Sequence, residues 1–286
     1  MSGPQANDAL FECVPNVSEG RDRDVLDACA RAIENAGVTL AHRTSDPAHH
    51  RSVFTFFGTR ARVLEAALAL AAVAVQRIDL RGHAGAHPRM GALDVLPFVP
   101  FGAAMMTDAA ALAHAAAAGI WTTLGVPSYF YGAAARGERP LSDVRRGGFE
   151  ALAARPEMPD VGSVRLHPGA GAIAIGARHV LVAFNVTLAS EDLSLARSIA
   201  RSLRERDGGL RTLRALGLRQ ADGRVQISCN VTDARATPLD RIVTIVRLLA
   251  RRRGTCVSGT ELIGLVPRDA LRSVALRALG ADSPPT

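Results

Sequence analysis

The chain has 286 residues, 48% hydrophobic and 21% charged, with 34 Lys+Arg against 27 Asp+Glu for a net charge of +7. All of those cations are arginine; with no lysine, the chain cannot form a pyridoxal-phosphate Schiff base, offer an amine nucleophile or build a Gly-x-x-x-x-Gly-Lys phosphate loop. Proton chemistry near neutral pH falls to eight histidines, to cysteine and to perturbed carboxylates; the positive balance favours anionic partners, and an aromatic share of 4% gives little for nucleobases to stack on.

In chain order, Met1 to Asp8 is polar and lacks the apolar core of a signal peptide. Ala9 to Val17 reads as a buried strand. A helical pattern follows over 21–36, with Val25, Leu26, Cys29 and Ile33 on one face and Gly37 as its stop. Val38–Thr44 and Arg51–Gly58 read as strands joined by the loop Ser45 to His50. A helix is predicted over 60–77 and a strand over Ala92–Val99, which completes β-α-β-β-α-β, the ferredoxin-like order. The Ala/Leu stretch 63–78 carries Glu65, Gln76 and Arg77 and is too short and polar to span a bilayer.

The middle of the chain adds a helix near 107–118, a strand at Ser128–Tyr131, a helix near 140–154 and an irregular Pro/Gly-rich segment to Gly171. The last third runs through a strand at Arg178–Thr187, a helix capped by Ser190, and a hairpin turning at Ala221-Asp222-Gly223. A helix at Leu239–Arg253, an extended Cys256–Ser258 and a helix at Pro267–Ala278 follow, so the β-α-β-β-α-β order recurs. The expected fold is therefore α/β (α+β), with two ferredoxin-like subdomains at 1–177 and 178–286 and a ligand groove or tunnel between them. Cys13, Cys29, Cys229 and Cys256 form no Cys-x-x-Cys pair and sit in apolar-rich runs, as buried free thiols of a cytoplasmic protein would.

Chemistry concentrates in Arg81-Gly82-His83-Ala84-Gly85-Ala86-His87-Pro88-Arg89-Met90-Gly91, which sets two imidazoles and two guanidiniums on a glycine-rich loop. Three readings stay open for it. One histidine could act as a general acid/base. His83 and His87, four apart, could share a metal, but Gly82, Gly85 and Pro88 argue against a helix and no third ligand stands nearby. The loop could also be purely structural. Asp46 to Arg51, with His49 and His50, is either a solvated β-β connection or a turn that binds an anionic substrate or orients the catalytic imidazole. Gly169-Ala170-Gly171 lacks the spacing of a dinucleotide loop, and Arg251-Arg252-Arg253 suits a solvated helix end better than a nucleic-acid patch.

Glu12-Cys13-Val14-Pro15-Asn16-Val17-Ser18-Glu19-Gly20-Arg21 resembles the opening motif of the glutamate formimidoyltransferase family. Val53-Phe54-Thr55-Phe56, His87 through Val95, Pro97 through Pro100, Gly176-Ala177-Arg178, Ala183-Phe184-Asn185 and Gly264-Leu265-Val266-Pro267 continue the likeness, from about residue 11 to 278. The resemblance implies a homodimeric, cytoplasmic enzyme of the single-domain bacterial type. Such an enzyme moves the formimidoyl group of N-formimidoyl-L-glutamate to N5 of tetrahydrofolate, in histidine breakdown, with no metal, membrane or nucleic-acid partner. It implies His83 as the catalytic histidine. Folate contact would fall to Pro159, Asp160, Val161, Gly162, Ser163, Val164, Arg165, Leu166 and His167, and to Gly209, Leu210, Arg211, Thr212 and Leu213. Asp46, His50, Arg51 and Arg89 are candidates to hold substrate, Arg165 and Arg211 further carboxylate partners. The sequence departs from the family at His50, where Asn is usual, at Ala86, where Glu is common, and at Ala170, where an aromatic is usual. Other outcomes of the same scaffold are a folate-binding protein without transfer and a formimidoyl or formamide hydrolase.

Overall fold

The computed structural model describes residues 9–47, 49–85, 89–137, 139–154, 157–220 and 222–279. Ala86, His87 and Pro88 of the histidine loop and Ala221 of the hairpin turn lie outside the described residues, as do Met1 to Asp8. The chain divides into two compact units, one ending at Arg178 and one beginning at His179.

The first unit runs β1 (Ala9–Cys13), β2 (Asn16–Val17), α1 (Arg23–Asn35), β3 (Thr39–Asp46), β4 (Arg51–Thr59), α2 (Arg60–Arg77), β5 (Leu93–Gly102) and α3 (Met106–Leu124). It continues with β6 (Ser128–Gly132), α4 (Leu141–Val144), α5 (Gly148–Ala154) and β7 (Ile173–Ala177). β3 pairs with β4, β4 with β1 and β2, and both of these with β5, all antiparallel, which is the ferredoxin-like order. β7 and then β6 extend that sheet in parallel beyond β5. One face carries the main core, where Phe54 and Phe56 of β4 meet Leu26, Cys29 and Ile33 of α1, Leu70 of α2 and Leu112 of α3. Alanines buried along α2 and α3 keep that helical layer close to the sheet.

The second unit runs β8 (Val182–Leu188), α6 (Leu193–Leu203), β9 (Leu213–Arg219), β10 (Val225–Val231), α7 (Leu239–Arg251), β11 (Val257–Ile263) and α8 (Arg268–Ala278). Its antiparallel sheet has the order β11-β8-β10-β9, with a separate core of Val186, Ile199, Ile227, Ile242 and Val246 among others. Strand alternation puts Val182, Phe184, Val186 and Leu188 into that core and turns Ala183, Asn185 and Thr187 to the other face.

Several elements differ from the sequence reading for identifiable reasons. The single strand predicted over Ala9–Val17 is two, because Pro15 has no N–H to give the ladder. The helix near 140–154 is two short pieces, interrupted where Gly147 and Gly148 take positive φ. β7 lies where the sequence pattern gives no strand, because Ile173-Ala174-Ile175-Gly176-Ala177 is short and buried at every position and so lacks the apolar/polar alternation of a half-exposed strand. The strand predicted from Arg178 starts at Val182, and α6 is capped by Asp192, which accepts from the N–H groups of Ser194 and Leu195, rather than by Ser190. The four cysteines are free thiols; Cys13, Cys29 and Cys229 are buried, and Cys256 is exposed just outside β11.

Candidate active site

The histidine loop leaves α2 through a short 3-10 turn, Leu80–Gly82, whose first N–H groups are ordered by Asp79: its carboxylate accepts from the Arg81 N–H and from the Arg81 guanidinium. That pairing holds the Asp79 carboxyl down to about 2. The Leu80 N–H donates to the Gly169 carbonyl, and Gly91 bridges to Gly171 across the same turn. At Gly91 a Cβ would stand 2.0 Å from the Ala172 carbonyl oxygen, so only glycine admits this approach. The loop carrying His83 is thereby anchored at both ends by 167–172.

His83 meets the β3–β4 turn. Its Nε2 lies 3.1 Å from the His50 carbonyl oxygen. A carbonyl can only accept, so Nε2 carries the hydrogen and Nδ1 holds the lone pair in the neutral ring. Nδ1 is buried with no hydrogen-bond partner among the described residues. The His50 ring stacks on that of His83, with centroids 4.3 Å apart and planes 24° from parallel. Gly85 permits the approach, since a Cβ there would stand 2.7 Å from the His49 carbonyl oxygen and 2.9 Å from the His50 Cβ.

His50 takes a left-handed φ of 51°, and its Nδ1 accepts from the Gly20 N–H at 3.1 Å. Glu19 Oε1 stands 3.3 Å from the same nitrogen and also accepts from the N–H groups of Gly20, Arg21 and Asp22. Burial pushes the His50 imidazole below the ordinary 6.5; Glu19 opposes this, while His83, Arg21 and Arg89 add to it. Asp46, at the end of β3, accepts from the His49 N–H and pairs with the His49 ring at 2.5 Å.

Arg89 binds the outer side of the loop, donating from Nη2 to the His83 carbonyl at 3.0 Å and to Glu150 of α5 at 2.8 Å. Arg51 is turned inward: Nε and Nη2 donate to the Asn16 side-chain oxygen, and Nη1 donates to Asp94 at 2.5 Å. Asp94 is fully buried and also receives Arg145 at 2.7 Å and the Met90 N–H at 2.8 Å. The pairing of β2 with β5 slips by one residue at this point, which leaves Asp94 as the extra residue of a bulge and aims its carboxylate at the two arginines. The sequence reading passed over Asp94 and Arg145. A lone carboxylate in the apolar run Ala92–Val99 was the available signal. Glu12 of β1 is a second buried carboxyl on this sheet, raised by burial against the opposing pull of Arg178.

The stretch Pro159 to His167 lies along β6, the outer strand of the sheet. Val161 bridges to Ser128, Asp160 accepts from the Phe130 N–H at 2.7 Å and pairs with Arg139, and Gly162, at φ 104°, packs on Trp121 and Pro127. Ser163 donates to the Arg165 carbonyl, Val164 and Arg165 are exposed, and Leu166 packs against the small cluster around Met90 and Tyr131. His167 accepts the Ala170 N–H on Nδ1, in the turn that touches Leu80. His83, His50, Arg51, Arg89 and the His167 turn are thus brought into one neighbourhood of the first unit. Gly209 to Leu213 belongs to the second unit, as the tight turn from α6 into β9. There Thr212 has a positive φ of 59°, its Oγ1 donates to the Asp233 carbonyl, and Leu213 enters the core. Arg211 is exposed, and its carbonyl accepts from Thr237.

Comparison with known proteins gives consistent matches over both units. The profile described as "Formiminotransferase domain, N-terminal subdomain" matches residues 10–178, and that described as "Formiminotransferase domain" matches residues 183–277. A protein of Streptococcus pyogenes serotype M1 named glutamate formimidoyltransferase is 40% identical over 93% of this chain and 92% of its own length. A protein of the same name from Thermoplasma acidophilum is 39% identical over 93% of this chain and 91% of its own. The formimidoyltransferase-cyclodeaminase of Gallus gallus is 39% identical over 93% of this chain and 52% of its own length. Among the described residues no helix is long and apolar enough to cross a membrane, and no three His, Cys, Asp or Glu side chains cluster as a metal site.

Proposed function

The chain belongs to the formiminotransferase domain family, and from that premise we propose that it transfers the formimidoyl group of N-formimidoyl-L-glutamate to N5 of tetrahydrofolate, releasing glutamate, with His83 as the proton carrier. Two relatives that carry the name glutamate formimidoyltransferase, each matched over nearly its whole length, support the activity. The observation that carries the role of His83 is its buried Nδ1, which has no hydrogen-bond partner among the described residues, opposite an Nε2–H held by a carbonyl.

The chemistry asks for one proton to be moved twice. When N5 of tetrahydrofolate attacks the formimidoyl carbon, the new C–N bond leaves N5 with a proton to lose, and Nδ1 of His83 takes it. The glutamate nitrogen must gain a proton before its bond to the same carbon breaks, and the imidazolium returns it, so the imidazole ends as it began. Attachment of Arg89 to the His83 carbonyl and to Glu150 fixes the loop during this exchange. Arg51, bonded to Asp94 and Asn16, orders the floor of the site. Folate contact is assigned to Pro159–His167 and Gly209–Leu213. The same reading makes this a cytoplasmic homodimer with small-molecule substrates and no metal.

Purified protein given donor labelled with 13C in the formimidoyl carbon tests the activity. The label should pass to tetrahydrofolate, with glutamate release dependent on tetrahydrofolate. Release without tetrahydrofolate would mean a hydrolase, and tight binding of tetrahydrofolate without release would mean a binding protein.

A further inference from the structure

Position 50 holds the second imidazole of a stacked pair, and nothing in the mechanism above uses its ring. Three independent contacts determine its placement. Its left-handed backbone turns its carbonyl onto His83 Nε2. Its Nδ1 is the acceptor of the Gly20 N–H. Its ring covers one face of the His83 ring at a centroid distance of 4.3 Å. Histidine, like asparagine, is among the residues that tolerate the left-handed region, so the carbonyl contact survives either choice while only histidine adds a second base.

We propose that His50 is a positioning residue for His83: its carbonyl fixes the tautomer that leaves Nδ1 reactive, and the stacked rings together hold one proton where two separated imidazoles would hold two. The electrostatics follow from the neighbours. His50 faces Glu19 and Arg21 from the segment before α1 and His83 and Arg89 from the histidine loop, and its own turn carries Asp46, His49 and Arg51. Glu19 is the anion that stands against the His50 ring, and three backbone N–H groups already draw on its Oε1. A proton on His83 therefore repels a proton on His50 across the stack. The consequence for the reaction is that His83 cycles between neutral and singly charged beside a neutral neighbour, and no second cation forms beside the proton that the leaving group must collect.

The proposal rests on the reading of His83 as the proton carrier, and its deciding readout is titration, with turnover kept for that reading alone. Histidine-ring NMR titrations of the full chain, as wild type, His83→Asn and His50→Asn, measure the pair directly. In the wild type both rings should titrate in two shared steps, and the ring nitrogens of neutral His83 should show hydrogen on Nε2. His83→Asn should move the His50 midpoint upward by about 0.3 pH unit or more, as loss of a like-charged neighbour requires. His50→Asn should make His83 titrate in a single step with the same tautomer. An unmoved His50 midpoint in His83→Asn, or hydrogen on Nδ1 of neutral His83, overturns the proposal. Should His50→Asn fail to fold, the wild type and His83→Asn still decide. Full turnover by His83→Asn together with a shifted His50 would instead sink the catalytic reading and leave the coupled pair standing.

Discussion

Asp94 is the residue on which most of the site converges, and its environment sets the first expectation. Its carboxylate is fully buried between two guanidiniums and a backbone N–H. Asp94→Asn keeps the acceptor for Met90 but removes the buried negative charge that Arg51 and Arg145 share. Burial already pulls Arg145 below its ordinary value, with Asp94 the main opposing influence. The variant should lose about 3 kcal/mol or more in denaturant-unfolding measurements; a loss under 1 kcal/mol would show that water or other groups satisfy both arginines. His50 gives a pH dependence with a definite sign. Its folded value lies below the ordinary 6.5, so between the two the unfolded chain binds more protons and stability rises with pH. That contribution is present above the ordinary value and fades as pH falls through the depressed one. Unfolding free energies measured from about pH 7 to 5 should fall more steeply in the wild type than in His50→Asn; parallel curves would contradict this.

At the scale of elements, the loop from α2 to β5 is fixed less by its own sequence than by the turn at 167–172. Gly91 shows it most directly. Gly91→Ala would drive a methyl into the Ala172 carbonyl and the neighbouring Leu93 carbonyl, so the loop and β7 would have to separate. A stability loss of about 2 kcal/mol and a fall in turnover are expected together, from thermal unfolding and steady-state rates; a loss in neither would mean the two segments do not need this closeness. The ferredoxin-like orders, the histidine loop and the β3–β4 turn were legible from the sequence because periodicity, Asp-Gly and the glycine–histidine run are local signals. β7 was not, since a five-residue strand buried on both faces shows no apolar/polar alternation. The stack of His50 on His83 was also hidden. It joins residues 33 apart through a left-handed backbone that no local signal announces. The bulge that aims Asp94 depends on a one-residue slip between β2 and β5, which is a property of pairing and not of either segment.

At the scale of the whole molecule, each unit has its own core, and the division at Arg178 and His179 falls near the edges of the matched profiles at 178 and 183. The second unit holds a closed β-α-β-β-α-β sequence around Val186, Ile227 and Val246. Residues 179–286 expressed alone are expected to unfold cooperatively in urea with mixed α/β circular dichroism; a gradual, non-cooperative loss of signal would show that its core is insufficient by itself. The all-arginine surplus finds internal uses in the first unit, where Arg51, Arg89, Arg139 and Arg145 each meet a carboxylate. With no lysine, histidine is the first candidate for proton transfer, and among the described residues His83 has a buried ring nitrogen without a hydrogen-bond partner in the loop that the family motif marks. The most direct measurement is therefore the rate of tetrahydrofolate-dependent glutamate release by His83→Ala beside the wild type. A fall of about a hundredfold or more in kcat, with the variant still folded, is the result expected of a lost general acid/base, and an unchanged kcat would contradict it.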